Sequence, residues 1–400
     1  MRRQALLATS IWFLMMFTAT NGFELGFWPW VMSFNQWDTR WYGTIAMSGH
    51  GFLPQSFVFP PGHSWILGGL TDLTYYAFRS FDIYIKWMMV FSFYGLVLNT
   101  LSFGLSNWIL VSLSEKRWGL SSKRMWFIVF SNPMGYFALT AYSDMIFLLL
   151  TLCILLFTLH SSPRAQAWKL ESFLACISAP AKSFLLTLLL AAAPWFRLTG
   201  AAFASLALLR RKEVFGTAVG FGGFLLYYWI RTDDPFFFLK AQRVFQMPEG
   251  HFGNGLTYAV SVFFQGLKLE DGAMLISRDF GFLLYWVDFG LLPLSVLLLS
   301  IALITWLARR KEWELVCVLS AVTLISHNQA MWRSTVRYAL MIYPLATWIW
   351  LEKESFLQKL AQAKPHFKRL PEVLTGLALG IGFALQIFFA RVFQSGGWAF

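Results

Sequence analysis

Apolar runs long enough to cross a bilayer dominate this chain, and they leave few folds open to it. About 17 to 25 mostly apolar residues bridge a hydrocarbon core roughly 30 Å thick. Runs of that kind, some of them shorter, occur at 5–23, 84–111, 125–140, 145–160, 172–193, 198–209, 214–231, 282–307, 313–331, 337–351 and 373–393. Backbone polar groups in hydrocarbon must be satisfied within the segment, so each run is expected as a helix. Composition points the same way: 57% of residues are apolar and 13% charged, with 42 Phe and 20 Trp, outside the range of a soluble domain. The expected fold is all-α, a polytopic transmembrane helical bundle of about 11 spans. Without a tandem repeat, linker or soluble segment, residues 1–400 read as one membrane domain. The shortest runs, 198–209 above all, are tolerated at membrane depth where they line a cavity.

Met1-Arg2-Arg3 precedes the first run, but no small-residue cleavage site follows it, so an uncleaved first span is expected. Cys153, Cys176 and Cys317 all fall inside apolar runs. Neither a disulfide framework nor a metal-ligand spacing is present, and buried thiols are expected.

Threading the spans from a cytoplasmic N-terminus separates the charges. The segments assigned inside hold 19 Lys/Arg and 8 Asp/Glu, those outside hold 12 of each, and Lys182 is left within a span. That split follows the positive-inside rule. The net charge of +12 is thus a topology signal with attraction for anionic lipid, and it requires no nucleic-acid partner.

With this topology the unusual polar clusters share the outer side. They are Asp38 to Arg40, Tyr142-Ser143-Asp144, Arg197 to Gly200, Asp233-Asp234-Pro235, and Trp332-Arg333 to Arg337-Tyr338. Two outer loops are long. In the first, 24–83, a helix over 36–48 would set Trp37, Trp41 and Ile45 on one stripe and Asp38 with Tyr42 on the next. Such a helix lies in the interface, with Gly49, Gly51 and Pro54 ending it and Pro60-Pro61-Gly62 turning the chain again. The second, 232–281, offers Phe236-Phe237-Phe238 to the headgroup region.

The stretch Trp37-Asp38-Thr39-Arg40-Trp41-Tyr42-Gly43-Thr44-Ile45-Ala46-Met47-Ser48-Gly49 resembles the signature of the PIG-V-type mannosyltransferases and their bacterial relatives, of the GT-C class of integral-membrane glycosyltransferases. Asn132-Pro133 with Ala141-Tyr142-Ser143-Asp144 is similar to that family's Asn-Pro and Tyr-Ser-Glu region, and Arg197-Leu198-Thr199-Gly200 to its Arg-x-x-Gly turn. Asp234-Pro235 with Phe238, Ala241 and Gln242, and Arg337-Tyr338 with Pro344, continue the likeness in order along the chain. The chain departs from the pattern at Phe59-Pro60-Pro61-Gly62-His63, at Gly49-His50 and at Ser143-Asp144. Those departures bear on the acceptor and the sugar more than on the reaction class.

The resemblance implies transfer of a hexose, mannose first, from a polyprenyl- or dolichyl-phosphate donor to a lipid-linked or surface acceptor. Such transfer needs a base for the acceptor hydroxyl, cations for the departing phosphate and an apolar groove for the donor tail. Asp38 is the candidate base. A single carboxylate fits an inverting displacement, because a retaining one needs a second, nucleophilic carboxylate; Asp144 is given a binding or orienting role. Arg197, Arg333 and Arg337 are candidates to clamp the phosphate with paired guanidinium donors. Arg40, Trp41, Tyr42, His50, His63 and Tyr142 complete the expected substrate-binding set.

Each of these residues also has a plainer reading. An Arg at a span end snorkels to the interface, an interfacial Asp pairs with a neighbouring Arg40, and Asp233-Asp234 anchors a turn. His50 and His63 lack two further ligands for a metal, so neither metal nor cofactor is expected. Lys182, ten residues into its run, is costly unless it faces a cavity or a carboxylate. Two other function classes stay open: a transporter or flippase for a lipid-linked saccharide, which would carry internal symmetry and midplane ion pairs, and an accessory subunit that keeps the fold. The expected location is a bacterial inner membrane with the site facing outward, given no terminal retrieval motif; the alternative is the endoplasmic reticulum facing the lumen.

Overall fold

The computed structural model describes residues 2–81, 83, 85–118, 129–130, 132–160, 177–208, 214–242, 269–270, 273–274, 292–328 and 370–396. Among these the chain is helical. Its helices are α1 (Arg2–Ala19), α2 (Gly22–Leu25), α3 (Phe27–Ser33), α4 (Asp38–Ser48), α5 (Pro61–Ser80), α6 (Trp87–Trp118), α7 (Asp144–His160), α8 (Ala179–Phe196), α9 (Val214–Thr232), α10 (Phe237–Gln242), α11 (Leu292–Arg309), α12 (Trp313–Asn328) and α13 (Leu370–Gln394). Three 3₁₀ segments, Pro54–Val58, Pro133–Leu139 and Leu198–Leu208, interrupt them. One antiparallel ladder of two residues a side pairs Leu269 with Met274 and Glu270 with Ala273.

Two of the described helices are long and apolar enough to cross a membrane, Trp87–Ser112 within α6 and Ala179–Phe196. Shorter apolar helices run through Leu6–Ala19, Asp144–Thr158, Leu294–Arg309, Trp313–Leu324 and Leu379–Gln394. Large apolar side chains stand on the outside, among them Phe81, Ile230, Leu73 and Phe215.

Helix contacts use small residues. Gly216 and Gly220, four apart on α9, leave no room for a Cβ against the backbone of Thr187 and Ala191 on α8. That spacing lets two backbones approach where lipid offers no hydrophobic drive for association. Elsewhere, α1, α3 and α13 are joined by polar side chains. Trp12 donates to Gln386 (2.6 Å), Gln386 donates to the Phe130 carbonyl (2.9 Å), and Trp30 donates to Thr20 (2.8 Å). Arg391 donates to the Ala19 carbonyl and to Asn21, closing the last described helix onto the first.

Several expected segments change form. The run 125–140 yields the 3₁₀ segment Pro133–Leu139 instead of a continuous helix over its described part. Asn132-Pro133 explains this, since proline removes a backbone donor and restricts the residue before it. In the described part of the run 172–193 the helix begins at Ala179, where Ser178 caps the start and Pro180 sits in the first turn. Lys182 therefore lies at the start of α8 and not deep within a span. Pro60-Pro61-Gly62 opens the 20-residue helix α5 in place of a second turn; proline is preorganised for a first helical turn. The run 337–351, Cys176 and most of the loop 232–281 lie outside the described residues.

Candidate functional site

The segment carrying the Trp-Asp-x-x-Trp-Tyr pattern folds as α4, from Asp38 rather than from 36. Trp37, at its N-cap, holds φ 47° and ψ −121°, a backbone conformation side chains rarely adopt. Strain of this kind persists only where its surroundings enforce it. Asp38, Thr39, Tyr42, Gly43 and Ile45 form the buried face of α4. Gly43 fits against Met88 at the start of α6, and Ala46 meets Gly68 of α5. Asp38 is only 7% exposed. The expected interfacial helix is thus packed into the protein along its inner face.

Opposite that face runs the loop Thr140 to Asp144, fixed by α6. Asn99 donates to the carbonyls of Thr140 (2.6 Å) and Tyr142 (2.7 Å), and Thr100 donates to that of Ala138 (3.2 Å). Asn99 stands about 18 Å along α6 at 1.5 Å per residue, so the loop is recessed beside the middle of this long apolar helix. Gly95 leaves no room for a Cβ against Ala141, which sets the loop close to the helix.

Residues from four separated segments meet there. The Asp38 backbone N–H donates to the Tyr142 hydroxyl (3.2 Å). The Tyr42 and Ser143 hydroxyls share a 2.8 Å bond, and the Tyr42 and His63 rings meet edge to face at 5.0 Å. Asp144, first residue of α7, forms an ion pair with Arg197, which follows α8. Burial raises the Tyr42 phenol well above its usual range, opposed by the Arg197 charge and reinforced by Asp38 and Asp144. Both carboxylates and the guanidinium therefore act on one hydroxyl.

The two histidines do not share a site. His63 is fully buried at the start of α5, where Gly62 meets the Trp195 carbonyl at the end of α8. A carbonyl only accepts, so the 2.8 Å contact to the Ala141 oxygen fixes the proton on Nε2 and leaves Nδ1 as a lone-pair acceptor. Nδ1 is buried without a hydrogen-bond partner among the described residues. His50 instead donates from Nε2 to the Phe59 carbonyl (2.9 Å) and accepts from Tyr227 at Nδ1 (2.8 Å). Burial lowers both rings to about 4, partly offset by their backbone hydrogen bonds, so both are neutral near pH 7. Among the described residues no group of three or more His, Cys, Asp or Glu is placed to hold a metal ion.

Three expected site residues have partners that the sequence did not name. Arg40 does not pair with Asp38: it lies on the other side of α4, donating to the Asn35 carbonyl (3.0 Å) and to Gln36 (2.9 Å). Trp41 also leaves the acidic cluster, stacking on Phe52 and Phe59. Arg197, expected as a phosphate clamp, is engaged by Asp144. Arg333 and Arg337 lie outside the described residues. Asp234 has a turn role, accepting from the Phe236 N–H (2.9 Å) and pairing with Lys240 (2.6 Å).

Sequence reasoning passed over Ser143 as a partner of Tyr42, and Asn99 altogether. An amide in the middle of an apolar run is itself a signal, since such a group must find partners inside the protein. Beside this loop, an apolar groove of about 710 Å³ between α1 and α6 is lined by Leu6, Phe13, Phe93, Val97, Leu101 and Trp108, with Thr100 on its wall. Comparison of the chain with family models, curated proteins and solved structures finds no match.

Proposed function

We propose that this protein is a multi-pass membrane glycosyltransferase of the PIG-V-like, GT-C type. It moves a hexose, mannose first, from a polyprenyl- or dolichyl-phosphate donor to a lipid-linked or surface acceptor on the outer side of the membrane. The observation that carries this reading is the meeting of Asp38, Tyr42, Tyr142, Ser143, Asp144 and Arg197, from distant parts of the chain, in one buried polar cluster. Buried groups of this kind are costly without a purpose, and perturbed titratable groups gather at reaction centres.

In this reading Asp38 takes the proton of the acceptor hydroxyl as it attacks the anomeric carbon, the bond to the carrier phosphate breaks, and configuration inverts. The ion pair with Arg197 occupies Asp144, which supports an orienting role for it and leaves no second nucleophilic carboxylate in the cluster as described. Stabilisation of the departing phosphate is assigned to Arg197, Arg333 and Arg337. The groove between α1 and α6 suits the donor's hydrocarbon tail, since its wall residue Thr100 also holds the site loop.

The test is reconstitution of the purified protein with radiolabelled polyprenyl-phosphate-mannose and an acceptor extract. Label should reach the acceptor with the wild type and not with Asp38→Asn. Undamaged transfer by Asp38→Asn removes the assigned base, whereas movement of the labelled lipid across the bilayer without transfer indicates a flippase.

A further inference from the structure

Turning α4 over exposes a second, different site. A cavity of about 430 Å³ opens on its outward face, lined by Gln36, Trp37, Arg40, Trp41, Thr44 and Phe52, with Gly396 at its edge. That volume lies within the range of small-ligand sites. Its chemistry is mixed: three aromatic rings, one cation and two neutral polar side chains.

Arg40 is the informative member. Its Nε and Nη2 are tied to the Asn35 carbonyl and the Gln36 amide, which hold the guanidinium in place before any ligand arrives. Both of these partners are neutral, and among the described residues no Asp or Glu lines the cavity. A fixed guanidinium facing a cavity without a carboxylate is suited to an anion, with paired donors that match phosphate geometry. The wall of Trp37, Trp41 and Phe52 adds a flat apolar surface of the sort that takes the C–H face of a pyranose. Trp41 is held by stacking on Phe52 at 5.7 Å and on Phe59 at 5.8 Å. Thr44 and Gln36 supply hydrogen-bonding groups for hydroxyls.

We infer that this cavity binds a phosphorylated saccharide headgroup, its phosphate on Arg40 and its sugar ring on the aromatic wall. On the transferase reading above, the occupant is the glycan of the acceptor. Position supports that assignment: Gln36 and Trp37 line the cavity and directly precede Asp38, so the two sites adjoin at the N-terminus of α4. Successive helical residues turn by 100°, which puts Asp38 and Arg40 on nearly opposite faces of the helix. A bound acceptor would therefore wrap the start of α4 to present a hydroxyl to Asp38.

The experiment uses the full chain in phosphatidylcholine nanodiscs and saturation-transfer NMR with mannose 6-phosphate, methyl mannoside and inorganic phosphate as probes. Mannose 6-phosphate should give ring-proton signals and bind more tightly than either fragment. Arg40→Gln should weaken it by about tenfold, the loss of one charge-assisted contact, and Trp37→Ala should reduce the ring signals; melting curves of both variants establish that they fold. Absence of binding, or binding unchanged in both folded variants, overturns the proposal. Equal binding of phosphate alone overturns the saccharide part. Displacement of mannose 6-phosphate by phosphatidylglycerol in the disc assigns the cavity to a lipid headgroup and overturns it too. Asp38→Asn should bind the probe normally, so failure of the transferase reading and failure of this site give different results.

Discussion

Asp38 and Arg40 lie two residues apart on α4 and meet opposite surroundings. Asp38 faces inward, 7% exposed, into a set of side chains that includes the Tyr42–Ser143 hydroxyl pair and the Asp144–Arg197 ion pair. Arg40 faces outward, bonded among the described residues to neutral groups, and lines a 430 Å³ cavity. A buried network with its partners in place is rigid and costly to disturb, whereas a surface cation can be lost cheaply. On the proposed reading, the contrast separates proton transfer on the inner face from ligand binding on the outer one, within one short helix.

Removing the base should have the largest effect. Asp38→Asn is expected to lower the transfer rate by about 10²–10⁴-fold, the usual contribution of a positioned general base, as measured by label reaching the acceptor. Next comes the ion pair behind it. Asp144→Asn removes the carboxylate that pairs with Arg197, and breaking a largely buried pair costs about 3–5 kcal/mol. Thermal unfolding in detergent should show this loss; a melt within error of wild type would mean that the inner cluster is not the rigid region described.

His63 provides a pH test of the same face. Burial lowers its ring from the usual 6.5 to about 4 in the fold, so on acidification the unfolded chain takes up the proton first. Its contribution to stability is complete above about pH 6.5 and is lost as pH falls towards 4. His50 adds a parallel dependence. His63→Gln should therefore flatten the melting temperature across this window, leaving the His50 share. The smallest effect belongs to the outer face: Arg40→Gln should change stability by no more than about 0.5 kcal/mol, as for a surface substitution. A larger loss on calorimetry would make Arg40 a structural residue.

Legibility in the sequence also differs between the two faces. The runs at 145–160, 214–231 and 373–393 are close to the ranges of α7, α9 and α13, because unbroken apolar stretches leave a helix as the one locally satisfied form. Helix α5 is not legible as an apolar run: Gly68-Gly69, Thr71-Asp72 and Thr74 break its hydropathy, yet His63, Ser64, Leu67, Gly68 and Thr71 make one buried face at helical spacing. Asp38, Tyr42, Tyr142, Asp144 and Arg197 could be named in advance from the motif, but not their mutual contacts. The pairing of Asp144 with Arg197 depends on how α7 and α8 meet, which local pattern does not encode. Nor does spacing reveal that Arg40 and Trp41 serve a separate cavity, because that depends on which face of α4 the α5 and α6 helices cover.

The most direct test compares Asp38→Asn with Arg40→Gln in one transfer assay over a range of acceptor concentration. Asp38→Asn should lose kcat at every concentration, and Arg40→Gln should raise the acceptor KM about tenfold while kcat recovers at saturation. If Asp38→Asn keeps the wild-type kcat, or if both variants show the same loss in kcat, the division of chemistry and binding between the two faces of α4 is wrong.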